Sequence, residues 1–376
     1  MMEFPVATLE ELRRWSFGGA AAEGRGTALP AGPLFRAMAY RFAPREHPEL
    51  RGEYRAAAMR DLPLTLELQR IRGRFRAAGI RFAPIKGADL AYRCYPDPVL
   101  RQRCDIDLLI HPDDLDRAVE IAVADHWRMP HRFRHGYHVP GMYKKHAMLE
   151  LHFNLPEFPD SAARRLWELF SREGDSSEYR LPPELSLAVA FLHARRHRWN
   201  NRAALIADYA FLLAKHPGFD WARARDLARE FGTGDPGLLC FALPELFPRE
   251  VLPPGPVPDA GVLRALREVT LAEFDLKEHR ESDVLSRADR FSRAWWRGRF
   301  AGFLPEVVRF RYRLPDDAGP GRMFRAYCRM CGDKAKLLWI GVFRRDRAVS
   351  GALRAAGEIE RYLNERSDET SPERNG

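Results

Sequence analysis

The sequence predicts an α+β protein in which a small mixed β-sheet is followed by a large α-helical C-terminal region. Short apolar segments with two-residue alternation lie between helical segments over residues 80–153, which is the pattern of a sheet packed against helices. After Pro159 the strand pattern nearly vanishes and helical periodicity dominates. A chain of 376 residues is long enough to form two or three domains around sizeable cores.

Changes in composition divide the chain into five segments. We predict an N-terminal helix with a flexible loop over residues 1–46, an α+β domain over 47–158, a helical domain over 159–252, a C-terminal helical region over 257–366 and a disordered tail over 367–376. The clearest linker is the Pro-Pro-Gly-Pro run at 253–256. In the first segment, a short helix around residues 8–15 precedes a Gly/Ala-rich loop at 18–32.

The α+β domain is predicted to contain helix, strand, helix, strand, helix, strand and strand, in that order. An amphipathic stretch over residues 47–78 predicts one or two helices ending at Gly79. Strands are predicted at 80–85, 104–110, 127–134 and 147–153, with helices just after Gly87 and from Asp113-Asp114 to about residue 125. The two aspartates are interpreted as an N-cap. This order predicts a mixed sheet that helices cover on one side.

Helical periodicity recurs through the rest of the chain. The predicted helices lie at about 166–170, 185–198, 203–213, 221–231, 238–246, 260–274, 288–312, 322–343 and 345–364. The sequence shows no internal repeat.

Two aspartates on a predicted strand are the main candidates for chemistry. Asp105 and Asp107 lie in the segment Cys-Asp-Ile-Asp-Leu-Leu-Ile, and alternation along a strand places both on one face. Neighbouring carboxylates on a half-buried strand repel one another and lose hydration, and a divalent cation relieves both penalties. The alternative is a pair of surface acids on an edge strand. The otherwise apolar strand favours the metal site.

A third acid, Glu150, lies on a later predicted strand with the sequence Met-Leu-Glu-Leu-His-Phe. Glu150 shares its face with His152, opposite the leucines. It could complete the oxygen shell of a metal or accept the proton of an attacking hydroxyl. It could equally form a buried Glu–His or Glu–Arg pair that holds the sheet together, and spacing alone does not choose between these roles. We interpret His152 as structural.

A Lys-Gly step separates the first predicted strand from the helix that follows it. Gly87 allows close approach of the backbone, and the helix N-terminus attracts phosphate, so Lys86 would pair with triphosphate oxygens. The alternative is an ordinary connection. The sequence contains no G-x-x-x-x-G-K-[ST] loop and no G-x-G-x-x-G after a predicted strand, which removes the main support for a P-loop or a dinucleotide fold.

Three further motifs are interpreted as structural. His193 and His197 have the spacing of zinc ligands on a helix, but Ala194 stands where a zinc protease has glutamate, so we expect the histidines to face the acidic strands. Asp208 is a lone acid on an apolar helix and is expected to pair with an Arg or His across the helical domain. The single C-x-x-C at 328–331 supplies two zinc ligands of four, and we attribute it to chance.

Composition restricts the partners and the compartment. The net charge is +9, but most basic residues are arginine in an Arg-, Ala- and Pro-rich chain, which is typical of a GC-rich genome, so nucleic acid is not the expected partner. The basic and aromatic residues at 295–313 are interpreted as core aromatics with arginines along the surface. Five cysteines do not form a disulfide framework. With no signal-peptide pattern and no transmembrane segment, a cytoplasmic location is expected.

Several of these motifs together resemble a known family. The run Ile85-Lys86-Gly87, Tyr-Pro-Asp-Pro at 95–98, Arg101, Asp-Ile-Asp-Leu-Leu-Ile at 105–110 and Leu-Glu-Leu-His at 149–152 resembles the uncharacterised nucleotidyltransferase family of the polymerase β-like superfamily. Leu192-His193, His197 and Ala207-Asp208 are similar to its helical extension. The likeness covers about residues 50–250, is specific over 85–152, and does not extend beyond about 255.

The resemblance implies a nucleotidyltransferase sheet with Asp105 and Asp107 as metal ligands and Glu150 as the third acid. It also implies Lys86 and Arg101 as phosphate contacts. The turn departs from the broader superfamily, where Gly-Gly or Gly-Ser is usual. In this chain a lysine precedes the glycine, and the gap to the D-x-D motif is long.

Motifs and resemblance together predict a Mg²⁺-dependent nucleotidyltransferase, with Mn²⁺ as a possible substitute. It would move a nucleoside monophosphate from a nucleoside triphosphate to an acceptor hydroxyl on a small molecule, peptide or protein. Two alternatives stay open. One is a non-catalytic module on the same fold that binds a nucleotide or a partner, and the other is a nucleotidyltransferase acting on RNA ends.

Overall fold

The structure is a computed structural model. It describes residues 6–18, 33–129, 138–139, 141–145, 147–155, 158, 162–172, 174, 176–196, 199, 202–271, 308, 314, 318–343 and 355–363. The chain forms two compact units. The first comprises residues 1–129, 133–273 and 355–376, and the second comprises residues 130–132 and 274–354. The segment boundaries predicted from composition stay a prediction.

Helices make up most of the first unit. They are α1 (Val6–Phe17), α2 (Pro33–Phe42), α3 (Arg51–Ala77), α4 (Gly87–Arg93), α5 (Leu115–Ala124), α6 (Ala162–Leu169), α7 (Pro183–Arg196), α8 (Arg202–Lys215), α9 (Trp221–Glu230), α10 (Leu238–Ala242) and α11 (Ala260–Leu271), with residues 355–363 also helical. The amphipathic stretch before Gly79 is one long helix, α3, which contains Pro63. The sequence analysis did not predict α2, which follows the loop expected at 18–32 within the first segment, 1–46.

Four strands form the predicted mixed sheet, which confirms the α+β fold class. They are β1 (Phe82–Pro84), β2 (Ile106–Ile110), β3 (Met142–Lys144) and β4 (Ala147–His152), and their order in the sheet is β1-β2-β4-β3. The central pair β2 and β4 is parallel, and the two outer pairs are antiparallel. A second sheet contains only β5 (Ser171–Arg172) and β6 (Tyr179–Arg180), which the sequence analysis did not predict.

Three local predictions need correction. The strand expected at 127–134 contains one isolated bridge, from Arg128 to Tyr143 of β3, and residues 130–137 lie outside the described part. The D-x-D strand begins at Ile106, so Asp105 lies in the bend before it. Asp114 precedes α5 without capping it, because its carboxylate accepts hydrogen bonds from the backbone N–H and the guanidinium of Arg81.

The sheet is covered on both faces, not on one as expected. Ile106, Leu108 and Ile110 pack in one core with residues of α3 and α5. Leu109 of the opposite face, with Ala83, packs in a second core that includes residues of α6, α7 and α9. All five residues of β2 are buried, and a strand buried on both faces needs cover from both sides.

In the second unit the structure describes mainly α12 (Pro320–Phe343). Val308, Ala326 and Met330 form its small core, and Cys328 and Cys331 are exposed. The predicted helix at 288–312 and the loop predicted at 18–32 lie almost wholly outside the described residues, and the tail predicted at 367–376 lies wholly outside them. Among the residues that are described, no helix has the length and apolar character that a membrane span requires.

Candidate functional site

The register of the parallel strands places two predicted site acids next to each other. Asp107 of β2 is the direct partner of Glu150 of β4, and Ile106 and Leu108 pair with Leu149 and Leu151. Paired residues in neighbouring strands point to the same face of a sheet. The Asp107 and Glu150 carboxylates therefore share one face, with Asp107 buried and Glu150 24% exposed.

Two nitrogen atoms contact the same oxygen of Asp107. Lys86 Nζ lies 2.7 Å from Asp107 Oδ1, and His152 Nε2 lies 2.8 Å from it. A carboxylate only accepts hydrogen bonds, so the Nε2–H of His152 is the donor. The same nitrogen lies 3.5 Å from Glu150 Oε2. The structure thus brings His152, interpreted as structural, against both acids. The alternation of side chains along the predicted strand had placed His152 on the same face as Glu150.

Burial and neighbouring charges shift the pKa values of the Asp107, Glu150 and Lys86 side chains in opposite directions. Burial raises the pKa of the Asp107 carboxyl, but Lys86 and the hydrogen bond from His152 outweigh it, and the net pKa is well below the usual range. Burial also raises the pKa of Glu150, yet the hydrogen bond from His152 brings it below its usual value. For Lys86, burial favours the neutral amine, but the charge of Asp107 raises the pKa overall. The site therefore holds two ionised carboxylates and a charged lysine.

Asp105 behaves differently from its neighbour. Burial and the negative charge of Asp107 raise the pKa of its carboxyl to about 7. Its described hydrogen bond is the weak one from Cys104 Sγ, at 3.4 Å. The carboxyl is therefore crowded by like charge without a strong compensating donor, which is the condition that an added cation relieves.

The donor atoms at this site fit a divalent cation. One ligand atom each from Asp107, Glu150 and His152 lies within 4.8 Å of the others. The two carboxylates supply the oxygen ligands that Mg²⁺ and Mn²⁺ prefer, while His152 donates its Nε2–H to Asp107. Asp105 is not one of these three, although its charge interacts with Asp107 and Glu150. The ligand roles predicted for Asp105, Asp107 and Glu150 stay a prediction.

Lys86 reaches Asp107 from an unusual turn. Its backbone has φ 52° and ψ −128°, and Ala88 N–H donates to Ile85 O at 3.1 Å. These angles describe the first central position of a type II′ turn, a conformation that favours glycine. At Gly87, the second central position, an added Cβ would lie 3.0 Å from Arg103 Cγ and 3.4 Å from Arg101 Nη1. The Lys-Gly step is thus a tight turn packed against two arginines.

Arg101 does not join the acidic cluster. Its Nε donates to Asp208 Oδ1 at 2.6 Å and its Nη1 donates to the carbonyl of Gln102 at 2.8 Å. Asp208 Oδ1 also accepts a hydrogen bond from the Tyr95 hydroxyl at 2.7 Å. The expectation that Asp208 pairs with an arginine is confirmed, but the partner comes from the approach to β2 and not from the helical domain.

A cleft connects the lysine and the arginine. It is small, with a volume of about 20 Å³, and it is lined by Lys86, Leu90, Arg101, Ala190, His193, Ala194, Ala204, Leu205 and Asp208. These residues come from the Lys-Gly turn, from the approach to β2 (Arg101) and from α4, α7 and α8. His193 lines this cleft, while His197 lies outside the described residues.

The fold thus combines a mixed sheet with acids on adjacent parallel strands, a lysine-bearing turn and a small cleft against helices, and its acidic cluster offers ligand atoms for a metal ion. The profile of the uncharacterised nucleotidyltransferase family matches residues 35–248. The chain belongs to this family, which confirms the resemblance seen in the motifs and supports nucleotidyl transfer as its general activity. No curated protein and no solved structure matches the chain.

Proposed function

We propose that the protein is a Mg²⁺-dependent nucleotidyltransferase that moves a nucleoside monophosphate from a nucleoside triphosphate to an acceptor hydroxyl. The observation that carries this proposal is the parallel register that sets Asp107 beside Glu150. Family membership supports the same reaction class. Mn²⁺ is the expected substitute for Mg²⁺, because both cations take oxygen ligands.

In this proposal Asp105, Asp107 and Glu150 hold the cation. When bound, the cation supplies polarisation of the α-phosphate and lowers the pKa of the acceptor hydroxyl. His152 keeps the Asp107 carboxylate oriented through the N–H that it donates. Glu150 would receive the acceptor proton, because it is the more exposed of the paired acids.

The basic residues would bind the triphosphate. Lys86 and Arg101 both line the cleft, so the phosphates would bind at its mouth, beside the acidic cluster, and not inside its small volume. Asp208 and Tyr95 hold Arg101 in place by buried hydrogen bonds. A bond then forms between the acceptor oxygen and the α-phosphorus. The bond from that phosphorus to the β-phosphate bridge breaks, and pyrophosphate leaves with its negative charge balanced by the basic residues.

The acceptor would be a small molecule, a peptide or a protein, and we propose a cytoplasmic location, where nucleoside triphosphates are available. The test is to incubate the protein with Mg²⁺, host lysate and each of the four triphosphates, labelled at the α-phosphate or at the γ-phosphate. Nucleotidyl transfer labels the acceptor from the α-position alone and releases pyrophosphate. Asp107→Asn protein is the control for contaminating activity.

Other outcomes would point elsewhere. Transfer of the γ-label would indicate phosphoryl transfer. Nucleotide binding without pyrophosphate release across a broad acceptor panel would favour the binding module. Label recovered in RNA would assign the protein to the transferases that act on RNA ends.

A further inference from the structure

We propose that the Lys86 ammonium acts as a placeholder cation: it occupies Asp107 until a divalent cation binds, and then moves into the adjacent cleft. The inference rests on the metal site in the proposed function. It adds a competition between Lys86 and the cation for Asp107, which nucleotidyl transfer as such does not require. It makes Lys86 a positioning residue for the metal as well as a contact for phosphate.

The first supporting observation is the crowding at one oxygen. Asp107 Oδ1 accepts from Lys86 Nζ at 2.7 Å and from His152 Nε2 at 2.8 Å, which uses both of its lone pairs. A cation that takes this oxygen as a ligand must therefore displace one of the two donors.

Of the two donors, Lys86 is the one able to leave. The His152 ring is fully buried and short, and β4 fixes its backbone. The lysine has a long stem with four rotatable bonds, and its side chain is 11% exposed. Electrostatic repulsion between the ammonium and an incoming divalent cation also favours departure of the lysine, because such repulsion is strong in a buried site.

The second supporting observation is the backbone of Lys86. A lysine with φ 52° and ψ −128° stands where a type II′ turn favours glycine, so the conformation is strained. Such strain persists only when surrounding contacts over-determine it, and the pair with Asp107 is the contact that the Lys86 side chain makes here. The turn therefore aims the ammonium at the acid.

The adjacent cleft can receive the displaced ammonium of Lys86. Lys86 lines the same cleft as Arg101 and His193, and its volume of about 20 Å³ has room for a group of the size of an ammonium, next to the proposed position of the triphosphate. Release by the cation would make the ammonium available to phosphate oxygens. By reciprocity, phosphate that attracts the ammonium would raise the affinity for the cation.

The test is the affinity of the nucleotide-free, full-length protein for Mn²⁺, measured by electron paramagnetic resonance titration. Lys86→Met removes the charge but keeps the bulk of the stem. Lys215→Met is the matched control, because it removes one positive charge from an exposed position outside the site. Asp107→Asn protein identifies the part of the Mn²⁺ signal that belongs to this site.

We expect Lys86→Met to bind Mn²⁺ about tenfold more tightly than wild type, within the usual range of coupling between sites. The Lys215→Met protein should bind as wild type. Equal or weaker binding by folded Lys86→Met overturns the competition and leaves the proposed function standing. Failure of wild type and both lysine variants to bind Mn²⁺ removes the metal site itself, and with it the proposed function.

A second measurement needs no variant. Acylation of lysines in the wild-type protein, followed by mass spectrometry, reports the accessibility of Lys86 with and without Mn²⁺. We expect the reactivity of Lys86 to rise on Mn²⁺ binding while that of Lys215 stays constant. A Lys86 reactivity that does not change at saturating Mn²⁺ overturns the proposal even if the methionine variant fails to fold.

Discussion

At the scale of single residues, the site depends on one carboxylate oxygen. Asp107 Oδ1 is held by a lysine and a histidine, and its strand partner is a second acid. An oxygen in this position is oriented before any substrate arrives, since its neighbours limit the rotation of the carboxylate. Pre-orientation of charged groups is the usual source of catalytic stabilisation in transfer reactions.

We predict that Asp107→Asn lowers turnover by at least ~10²-fold, the scale of removing one electrostatic stabiliser. Asparagine keeps the shape of the side chain but loses the charge that pairs with Lys86 and that would bind the proposed cation. Pyrophosphate release at saturating triphosphate is the measurement. Asp226→Asn is the control, because Asp226 is an exposed acid of α9. A near-normal rate in the Asp107 variant would contradict the assignment.

Asp105 leads to a prediction on pH. Burial and the charge of Asp107 raise its pKa to about 7, well above the usual value of an aspartate, so the folded protein retains this proton at a pH where the unfolded chain has lost it. Ionisation of Asp105 therefore increasingly opposes folding as the pH rises from about 4 to about 7. Asp105→Asn should stabilise the protein in EDTA at pH 8, by about 1 kcal/mol or more, with little gain near pH 4.

Urea denaturation of wild type and Asp105→Asn at pH 4.5 and pH 8, both in EDTA, measures this difference. A variant that is stabilised equally at both pH values would show that the effect does not come from ionisation. A variant that is less stable than wild type at pH 8 would show that Asp105 makes a favourable interaction in its charged form.

At the scale of elements, the turn before α4 connects the sheet to the cleft. Arg103 approaches Gly87 closely and is itself held by a double hydrogen bond to Asp61, at 2.7 and 2.8 Å. The side chain of Arg103 is 1% exposed, so it has little room to move away. The glycine is therefore required by contact with a fixed neighbour.

We predict that Gly87→Ala destabilises the protein by about 1–3 kcal/mol, the range for overpacking a closed site. The control is Gly73→Ala in α3, where an added Cβ meets nothing within 4 Å. That control should stabilise by about 0.5–1 kcal/mol, because alanine is the better helix former. Thermal unfolding of both variants gives the comparison. Equal effects of the two substitutions would show that Arg103 can move away from the added methyl group.

At the scale of the whole first unit, one buried cluster joins segments far apart in sequence. Asp208 of α8 accepts hydrogen bonds from Arg101 and Tyr95, which flank the approach to β2. Desolvation raises the pKa of the Tyr95 hydroxyl well above its usual value, so the hydroxyl keeps its proton and donates it. This cluster ties the helical half of the family fold to its sheet.

We predict that Asp208→Ala costs about 3–5 kcal/mol of stability, because it leaves the Arg101 charge buried without its partner. Glu245→Ala is the comparison, since it breaks the half-exposed pair with Arg267 and should cost less than about 1 kcal/mol. Denaturant titration measures both. Similar losses of stability in the two variants would show that another residue or water forms hydrogen bonds with Arg101 when Asp208 is removed.

Much of the first unit follows from local patterns. Apolar periodicity located α3, α7, α8 and α9 to within a few residues, and alternation located β2 and β4. Local patterns were less informative for α2, for β3 and for the cap of α5. In the last case a distant arginine, Arg81, takes the carboxylate of Asp114 that the local pattern assigns to the helix.

The order of helices and strands from α3 to β4, the placement of Glu150 and His152 on one face of β4 and the family were determined by the sequence itself, because they depend on spacing along the chain. Only the tertiary structure decided which strand lies beside β2 and in which register. The same holds for which side chains contact Asp107. Strand pairing, the turn at Lys86 and the pairing of Arg101 with Asp208 depend on contacts between distant segments, and no spacing within one segment encodes such contacts.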